Sequence, residues 1–257
     1  MTLTNKALNK LRGKISKLSA KHSKKIAGSF KIKKHFENKI GLEIGGPSEI
    51  FSDKGYIPVY PIANTIDGCN FSNNTVWENT ITEGLNYKYG DSVLGYQYIK
   101  DATDLSGIDS EKYDFLLSSH SLEHIANPIK AIKEWIRVLK KDGVLLLILP
   151  DKNYTFDHRR PITKFEHLLD DYHQDITEHD LTHLEEILSL HDLTLDLPAG
   201  DASQFRSRSL ENYNNRCLHQ HVFDFKLLDQ IFKYFNLKVI VKKATGPLHL
   251  IIMGQKR

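Results

Sequence analysis

Histidine and carboxylate side chains occur where they could take part in proton transfer. His120 lies just after an apolar run at 113–118, and Asp157 and His158 lie in the polar stretch 151–160. Side chains of either type can remove the proton from a hydroxyl group as its oxygen attacks an electrophile. These three residues are therefore the candidate catalytic residues, with His120 as the first candidate for the base. The competing interpretation of His120 is a residue at a helix entry that binds backbone.

Five further side chains are candidates for contact with a polar or anionic substrate. A guanidinium pairs well with phosphate, and aromatic rings can stack on sugar rings. The candidates are Trp77, Arg159, Arg160, His219 and His221. A solvated loop is the competing interpretation of the stretch that contains the two arginines.

The stretch 151–220 is rich in histidine, which raises the question of a metal site. His179 and His183 are four residues apart and would share a helix face, a spacing that metal ligands use. No carboxylate or third ligand is fixed by the sequence, so surface or core histidines are favoured and no metal site is assigned. Cys69 and Cys217 also lack metal-motif spacing and are too few for a disulfide framework.

Alternating strands and helices must position these residues. The unbroken apolar run at 144–149 predicts a strand buried on both faces, as in a parallel sheet. A helix beginning near Pro128 has an apolar face and should end in the basic and glycine-containing stretch 140–143. Further strands are predicted at 39–44, 56–62, 96–100, 113–118, 237–242 and 248–253. Further helices are predicted near 162–172, 178–191 and 224–234.

A glycine pair follows the first predicted strand. Gly45 and Gly46 precede Pro47 and Ser48, either of which could open a short helix. Strand, glycine turn and helix are how a doubly wound sheet holds a nucleotide-like ligand. A tight turn with no ligand is the competing interpretation of the glycine pair alone.

The sequence around that turn resembles class I S-adenosylmethionine-dependent methyltransferases, in particular those similar to methyltransferase type 11. This family includes bacterial members of uncertain substrate. Residues 41–48 resemble motif I of the family and read GLEIGGPS. Residues 101–105 and 113–124 are similar to the third-strand and fourth-strand blocks, and they read DATDL and YDFLLSSHSLEH. The stretch from 127 to 150 continues the resemblance through a helix and the strand that ends in a proline.

The resemblance implies an α/β, Rossmann-like fold with S-adenosylmethionine as cofactor and S-adenosylhomocysteine as product. A mostly parallel seven-stranded sheet would be flanked by helices, with a helical insert after strand five. The implied cofactor contacts are Glu43, Gly45, Gly46, Pro47, Asp101, Ala102, Thr103, Ser119 and His120. Family members also carry an acid that binds the ribose at the end of strand two, and Asp67 is the nearest candidate here. Glu123 and His124 resemble a frequent family feature and receive no catalytic role.

The charge is divided unevenly along the chain. Residues 1–35 carry eleven Lys or Arg and no Asp or Glu, whereas the remainder has 24 basic residues against 32 acidic ones. A basic helical arm of this kind predicts contact with an anionic membrane surface, and a solvated helix or loose terminus is the competing interpretation. Residues 36–257 are predicted to form one methyltransferase domain, with a loop insert or lid at 63–95 and a helical, His-rich insert at 151–220.

The predicted function is O-methylation of a sugar hydroxyl in a cell-surface glycan or its precursor. No apolar run approaches the roughly 20 residues that cross a bilayer, and no signal-peptide core follows Met1. A cytoplasmic protein, peripheral to the inner face of the membrane, is therefore expected. The alternatives are methylation of RNA or of another small molecule, and a non-catalytic binding or scaffold protein. Nucleic acid is the less favoured partner because the body is acidic, and the oligomeric state is left open.

Overall fold

The computed structural model describes residues 30–75, 79–245 and 248–257, which form a twisted sheet with helices on both faces. Its strands are β1 (Ile40–Ile44), β2 (Thr65–Asn70), β3 (Asn74–Thr75), β4 (Asn79–Thr80), β5 (Gly84–Tyr89), β6 (Ser92–Ile99), β7 (Tyr113–Ser119), β8 (Leu139–Pro150), β9 (Lys238–Thr245) and β10 (His249–Gln255). Its helices are α1 (Phe30–Lys33), α2 (Pro128–Val138), α3 (Phe165–His173), α4 (Leu184–Leu190), α5 (Ala202–Leu210), α6 (Asn212–Asn215) and α7 (Phe225–Tyr234). Short 3-10 turns cover Glu49–Phe51, Leu122–His124, Lys152–Tyr154 and Leu197–Ala199.

The main sheet confirms the predicted Rossmann-like fold. Eight strands follow the order β5-β6-β2-β1-β7-β8-β10-β9. The strands from β6 to β8 in that order are parallel, and the antiparallel pairs lie towards the two edges, β5 with β6 and β10 with β8 and β9. The sheet has one strand more than predicted because β5 folds back on β6.

The apolar runs bury both faces of the central strands. Leu116 and Leu117 are adjacent in β7 but pack into separate apolar clusters, since successive side chains of a strand point to opposite faces. On one face α2 contributes Ile132 and Trp135, both fully buried. The predicted amphipathic helix thus begins at Pro128, where the Asn127 side chain accepts a hydrogen bond from the Lys130 N–H.

Strand two differs from the prediction. Residues 56–62 form turns instead of a strand, because Pro58 and Pro61 cannot donate hydrogen bonds to a ladder. The strand is β2, which lies between β1 and β6 although its sequence is TIDGCN. The described residues of 63–95, where the prediction has a loop insert or lid, contain β2 to β5 and the start of β6.

The end of α2 also differs from the prediction. The helix stops at Val138, and residues 140–143 belong to β8 instead of forming the last helical turn. Asp142, with φ of +63°, adopts the left-handed conformation in this stretch. The register of β8 against β7 shifts here, so this stretch bulges before the apolar run joins the sheet.

The stretch after β8 is helical, as the prediction of an insert at 151–220 requires. It contains α3 to α6, and its apolar side chains form a separate cluster that includes Leu184, Ile187 and Phe205. No helix within the described ranges is long and apolar enough to cross a bilayer. Residues 1–29 of the predicted basic arm lie outside the described residues, so its membrane contact stays a prediction.

Candidate active site

A cavity of about 440 Å³ opens at the carboxyl ends of the parallel strands. Residues that end or follow β1, β2, β6 and β7 contribute to its wall. The strands β2, β6 and β5 lie on one side of β1 in the sheet. The chain then crosses back, so that β7 lies on the other side of β1. Ligands of doubly wound sheets bind at such a switch point, and small-molecule sites occupy about 300–1,000 Å³. The cavity is therefore the candidate active site.

Gly45 makes the turn out of β1 into the cavity wall. Its φ is +74°, which side chains with a Cβ rarely adopt. A Cβ here would also lie 2.2 Å from Oγ of Ser121. The Gly45 N–H donates to the Cys69 carbonyl over 2.9 Å, and both Gly45 and Pro47 line the cavity. The turn therefore requires glycine and presents bare backbone to a ligand.

Glu43 lies beneath this turn instead of in the cavity wall. Its Oε2 accepts hydrogen bonds from the hydroxyls of Tyr60 and Tyr87, each over 2.8 Å. The Tyr60 hydroxyl also accepts from the Ser48 N–H, and a Cβ on Gly46 would clash with the Glu43 carboxyl group. Burial, opposed by the hydrogen bonds, raises the pKa of Glu43 to about 7. Glu43 and Gly46 thus support the turn from below and lie outside the cavity wall, and their expected cofactor contacts stay predictions.

Asn70, and not Asp67, occupies the cavity end of strand two. Asn70 ends β2, lines the cavity and donates from Nδ2 to the Gly46 carbonyl over 2.9 Å. The Asp67 carboxylate accepts hydrogen bonds from the Tyr113 hydroxyl and the Tyr96 N–H, at 2.7 and 2.9 Å. The carboxylate of Asp67 is thus bound within the protein and lies outside the cavity wall, and its expected ribose contact stays a prediction.

Asp101 follows β6 and lines the cavity together with Ala102. Its Oδ1 accepts from the N–H and the hydroxyl of Thr103, at 2.8 and 2.7 Å. Its Oδ2 pairs with Nη2 of Arg216 at 3.1 Å, and Nη1 of Arg216 pairs with Glu178 at 2.6 Å. Thr103 lies outside the cavity wall, so the structure gives it a supporting role beneath Asp101.

Ser119 and His120 line the cavity at the end of β7. Nε2 of His120 lies 2.9 Å from Nδ1 of His249, the first residue of β10. Because β10 runs antiparallel to β8, it begins at the edge where the parallel strands end. Burial and the neighbouring His249 lower the pKa of His120 to about 3, so its imidazole is neutral.

Three side chains bring ligand or proton-binding atoms together in one part of the cavity. One ligand atom from each of Glu123, His124 and His219 lies within 4.8 Å of the other two. Both histidines line the cavity. Nδ1 of His124 lies 3.0 Å from the Leu218 carbonyl, which leaves its Nε2 for a ligand. Both Glu123 oxygens are buried with no hydrogen-bond partner in the part of the chain that is described. This trio could hold a cation or take part in proton transfer.

His219 is fixed from behind by a buried ion pair. Its Nδ1 contacts Oδ2 of Asp157 at 2.5 Å, and Oδ1 of Asp157 accepts from Arg160 at 3.1 Å. Arg160 also donates to the His219 carbonyl and to Glu186, at 2.7 and 2.9 Å. Burial disfavours the Asp157 carboxylate, but His219 and Arg160 outweigh it and lower the pKa of Asp157 to about 2. Asp157 is thus an ionised partner of an imidazole that faces the cavity.

The remaining sequence candidates lie away from the cavity wall. His158 and Arg159 both pair with Asp192, at 3.0 and 2.8 Å. Arg160 is buried behind His219, and His221 is buried against the Ala126 carbonyl. None of these four side chains lines the cavity, so the acceptor-binding assignments of the two arginines and His221 and the catalytic assignment of His158 stay predictions. Trp77 lies outside the described residues.

Several cavity residues were missed by the sequence interpretation. The spacing of His120, Glu123 and His124 within five residues is a signal that could have indicated a polar cluster. Asn70 was missed because strand two was misplaced. Arg216 contacts Asp101 although the two residues are 115 positions apart in the sequence, and no local sequence pattern predicts such a contact.

The profile of one protein family, described as a methyltransferase domain, matches residues 10–241. The chain therefore belongs to this family and is an S-adenosylmethionine-dependent methyltransferase, as the resemblance of residues 41–48 and 113–124 predicted. A search of curated proteins found no match.

The solved structures to which this chain is similar include three methyltransferases. An S-adenosylmethionine-dependent methyltransferase from Aquifex aeolicus is 13% identical with a TM-score of 0.48, over 95% of this chain and 98% of that one. A putative enzyme of the same class from Listeria monocytogenes is 14% identical with a TM-score of 0.45, over 87% and 93% of the two chains. The 1,6-didemethyltoxoflavin-N1-methyltransferase of Burkholderia thailandensis is 9% identical with a TM-score of 0.45, over 100% and 91%. The family assignment rests on the domain match.

Proposed function

We propose that this enzyme methylates a hydroxyl oxygen of a polar acceptor, namely a sugar hydroxyl in a glycan or its precursor. The observation that carries the proposal is the pair formed by His219 and Asp157 at the cavity wall. An alcohol is a weak nucleophile until its proton is removed, and an imidazole oriented by a carboxylate is suited to that task.

The cavity wall fits the cofactor of the family. The backbone at Gly45 and Pro47, with the polar side chains of Asn70 and Asp101 and the apolar Ala102, would hold it. When bound, S-adenosylmethionine supplies a methyl group already activated on a sulfonium. The protein therefore has to bind and align the acceptor, exclude water and accept one proton.

His219 performs the proton transfer in this proposal. Its Nδ1 is directed at Asp157, so Nε2 is the nitrogen left to accept the hydroxyl proton. The oxygen lone pair would form the new bond to the methyl carbon as the carbon–sulfur bond breaks, with the electron pair of that bond going to sulfur and the thioether S-adenosylhomocysteine as the leaving group. The proton would pass from oxygen to Nε2. Asp157 is a positioning residue, because it holds the tautomer and stabilises the imidazolium that results. The pKa of His120, lowered to about 3, makes it a weaker base at neutral pH than the sequence suggested.

The charges around the cavity favour a hydroxylated acceptor over RNA. Arg216 pairs with Asp101 and Glu178, and Arg208 pairs with Asp196, and all five residues line the cavity. RNA binding uses cations that are available to phosphates. Basic groups that are already paired with acids suit a neutral or singly charged polar acceptor better.

The test is methyl transfer from labelled S-adenosylmethionine to separate acceptor pools. We expect label in sugars, nucleotide sugars or glycan precursors, and its loss in His219→Ala. A matched control is His173→Ala, an exposed histidine at the end of α3. Label found only in RNA, or only at nitrogen atoms of small molecules, would replace the proposal. Cofactor binding without turnover on any pool would indicate the non-catalytic alternative.

A further inference from the structure

A second group of histidines lies away from the cavity wall, in the insert that follows β8. His167 and Asp171 are four residues apart on α3. His183 directly precedes α4, and His221 lies two residues after His219. Three separate stretches of chain therefore bring these four side chains together. The proposed methyl transfer uses none of them.

The separations of their ligand atoms match those of a tetrahedral metal site. Nε2 of His167 lies 2.9 Å from Nε2 of His183 and 3.4 Å from Oδ2 of Asp171. Nε2 of His221 lies 3.6 Å from the same oxygen, and each histidine has a ring nitrogen within 4.8 Å of the other two. With zinc bond lengths of about 2.0–2.1 Å, neighbouring ligand atoms in a tetrahedron are about 3.3–3.4 Å apart. The two separations measured from Nε2 of His167 lie near that value, and the 3.6 Å contact shows that the His221 ring adjoins the same carboxylate oxygen.

Two buried atoms of the group are also without hydrogen bonds. Oδ2 of Asp171 and Nδ1 of His221 have no hydrogen-bond partner within the described ranges. Burying such atoms without a partner is unfavourable. A cation between the four side chains would satisfy the carboxylate oxygen and use lone pairs of imidazoles that otherwise face one another.

We propose that His167, Asp171, His183 and His221 bind a zinc ion. Three imidazole nitrogens and one carboxylate oxygen are ligands that zinc accepts, and four protein ligands close a tetrahedral sphere, as in structural sites. His221 supplies one ring nitrogen. That nitrogen is Nδ1, which has no hydrogen-bond partner among the described residues, because Nε2 contacts the Ala126 carbonyl at 3.1 Å and this contact fixes the tautomer from outside.

The site would tie the insert to the active site. The ion joins α3 and the start of α4 to the segment that carries His221. That segment also carries His219, whose carbonyl is held by Arg160 and whose ring lines the cavity. Binding of zinc therefore stabilises the insert and fixes the backbone next to the proposed base.

The first experiment measures metal in the wild-type chain after purification without a polyhistidine tag. We expect about one zinc per chain by elemental analysis, as four protein ligands imply. Cobalt added to the chelated protein should give the absorption bands of tetrahedral Co²⁺. A chain that contains no zinc, takes up none on titration and gives no tetrahedral cobalt spectrum would overturn the proposal, whether or not methyl transfer is found.

Variants then locate the ion. His183→Ala and Asp171→Asn should lose the bound zinc, whereas His173→Ala, on the same helix as Asp171, should retain it. His124→Ala, in the cavity trio, should also retain it. If zinc is lost in His124→Ala and kept in His183→Ala, the ion lies in the cavity and the proposed site is wrong. Should His183→Ala fail to fold, Asp171→Asn, which changes one ligand atom and keeps the shape of the side chain, and His124→Ala still locate the ion.

Discussion

Nδ1 of His219 contacts Oδ2 of Asp157 over 2.5 Å, and both side chains are largely withdrawn from solvent. The two residues are 62 positions apart. Asp157 is held in place by Arg160, whose guanidinium also binds the carbonyls of residues 219 and 220. The arrangement holds Nδ1 of the imidazole and leaves Nε2 for the cavity. The proposed function therefore assigns the proton transfer to His219.

Replacing Asp157 by Asn should lower kcat and leave KM and cofactor binding nearly unchanged. The amide keeps the shape but removes the charge that stabilises the imidazolium, and base catalysis contributes about 10²–10⁴-fold. Steady-state kinetics with the identified acceptor and titration with S-adenosylhomocysteine measure the two effects. A change in KM alone would show that Asp157 serves binding.

His120→Ala should bind S-adenosylhomocysteine as the wild type does and lose less activity than His219→Ala. The reason is that the pKa of His120 is lowered to about 3, so its imidazole is a poor proton acceptor at neutral pH. The two variants should be compared in the same turnover assay. The opposite order, with His120→Ala the less active, would return the base role to His120.

Gly45→Arg should abolish cofactor binding, measured by calorimetric titration with S-adenosylhomocysteine. A side chain at this positive φ would meet Ser121 and fill the approach to the backbone. Gly90→Ala is the matched control, because Gly90 also has a positive φ, +57°, but nothing lies within 4 Å of its added Cβ. It should cost about 1–2 kcal/mol of stability and retain binding. Binding retained in Gly45→Arg would place the cofactor elsewhere.

Glu43→Gln should make unfolding stability less dependent on pH between about 4.5 and 7. The pKa of Glu43 is raised by burial from 4.5 to about 7, so its protonated form stabilises the fold. That contribution is complete below pH 4.5 and is lost as the pH rises through about 7, a change of about 3 kcal/mol. Denaturant unfolding of both proteins across this range tests it. Parallel stability curves would mean that folding leaves the pKa of Glu43 unshifted.

Arg160→Ala should destabilise the fold by about 3–5 kcal/mol, because it removes the guanidinium that is ion-paired with the buried Asp157 carboxylate. Arg159→Ala is the neighbouring control. Its side chain is 51% exposed, against 2% for Arg160, and its pair with Asp192 is worth about 0–1 kcal/mol. Equal losses in the two variants, measured by denaturant unfolding, would contradict the buried ion pair.

The fold could be predicted where apolar pattern and burial coincide. The runs that form β7 and β8 and the apolar face of α2 were identified correctly, because such patterns reflect which face is buried. Strand two was missed because its sequence lacks such an apolar pattern. β2 reads TIDGCN, and its polar side chains are tolerated only because distant groups such as the Tyr113 hydroxyl bind them.

The sequence by itself determined the family, the glycine turn at Gly45 and the stretch around His120, because strand, turn and helix signals are local and the turn requires a residue without Cβ. Only the tertiary structure decided which histidines meet. It joined His219 to Asp157, and His183 to His167 and His221 instead of to His179. These partners lie on separate segments, and their approach depends on how the insert packs, which spacing along the chain does not encode.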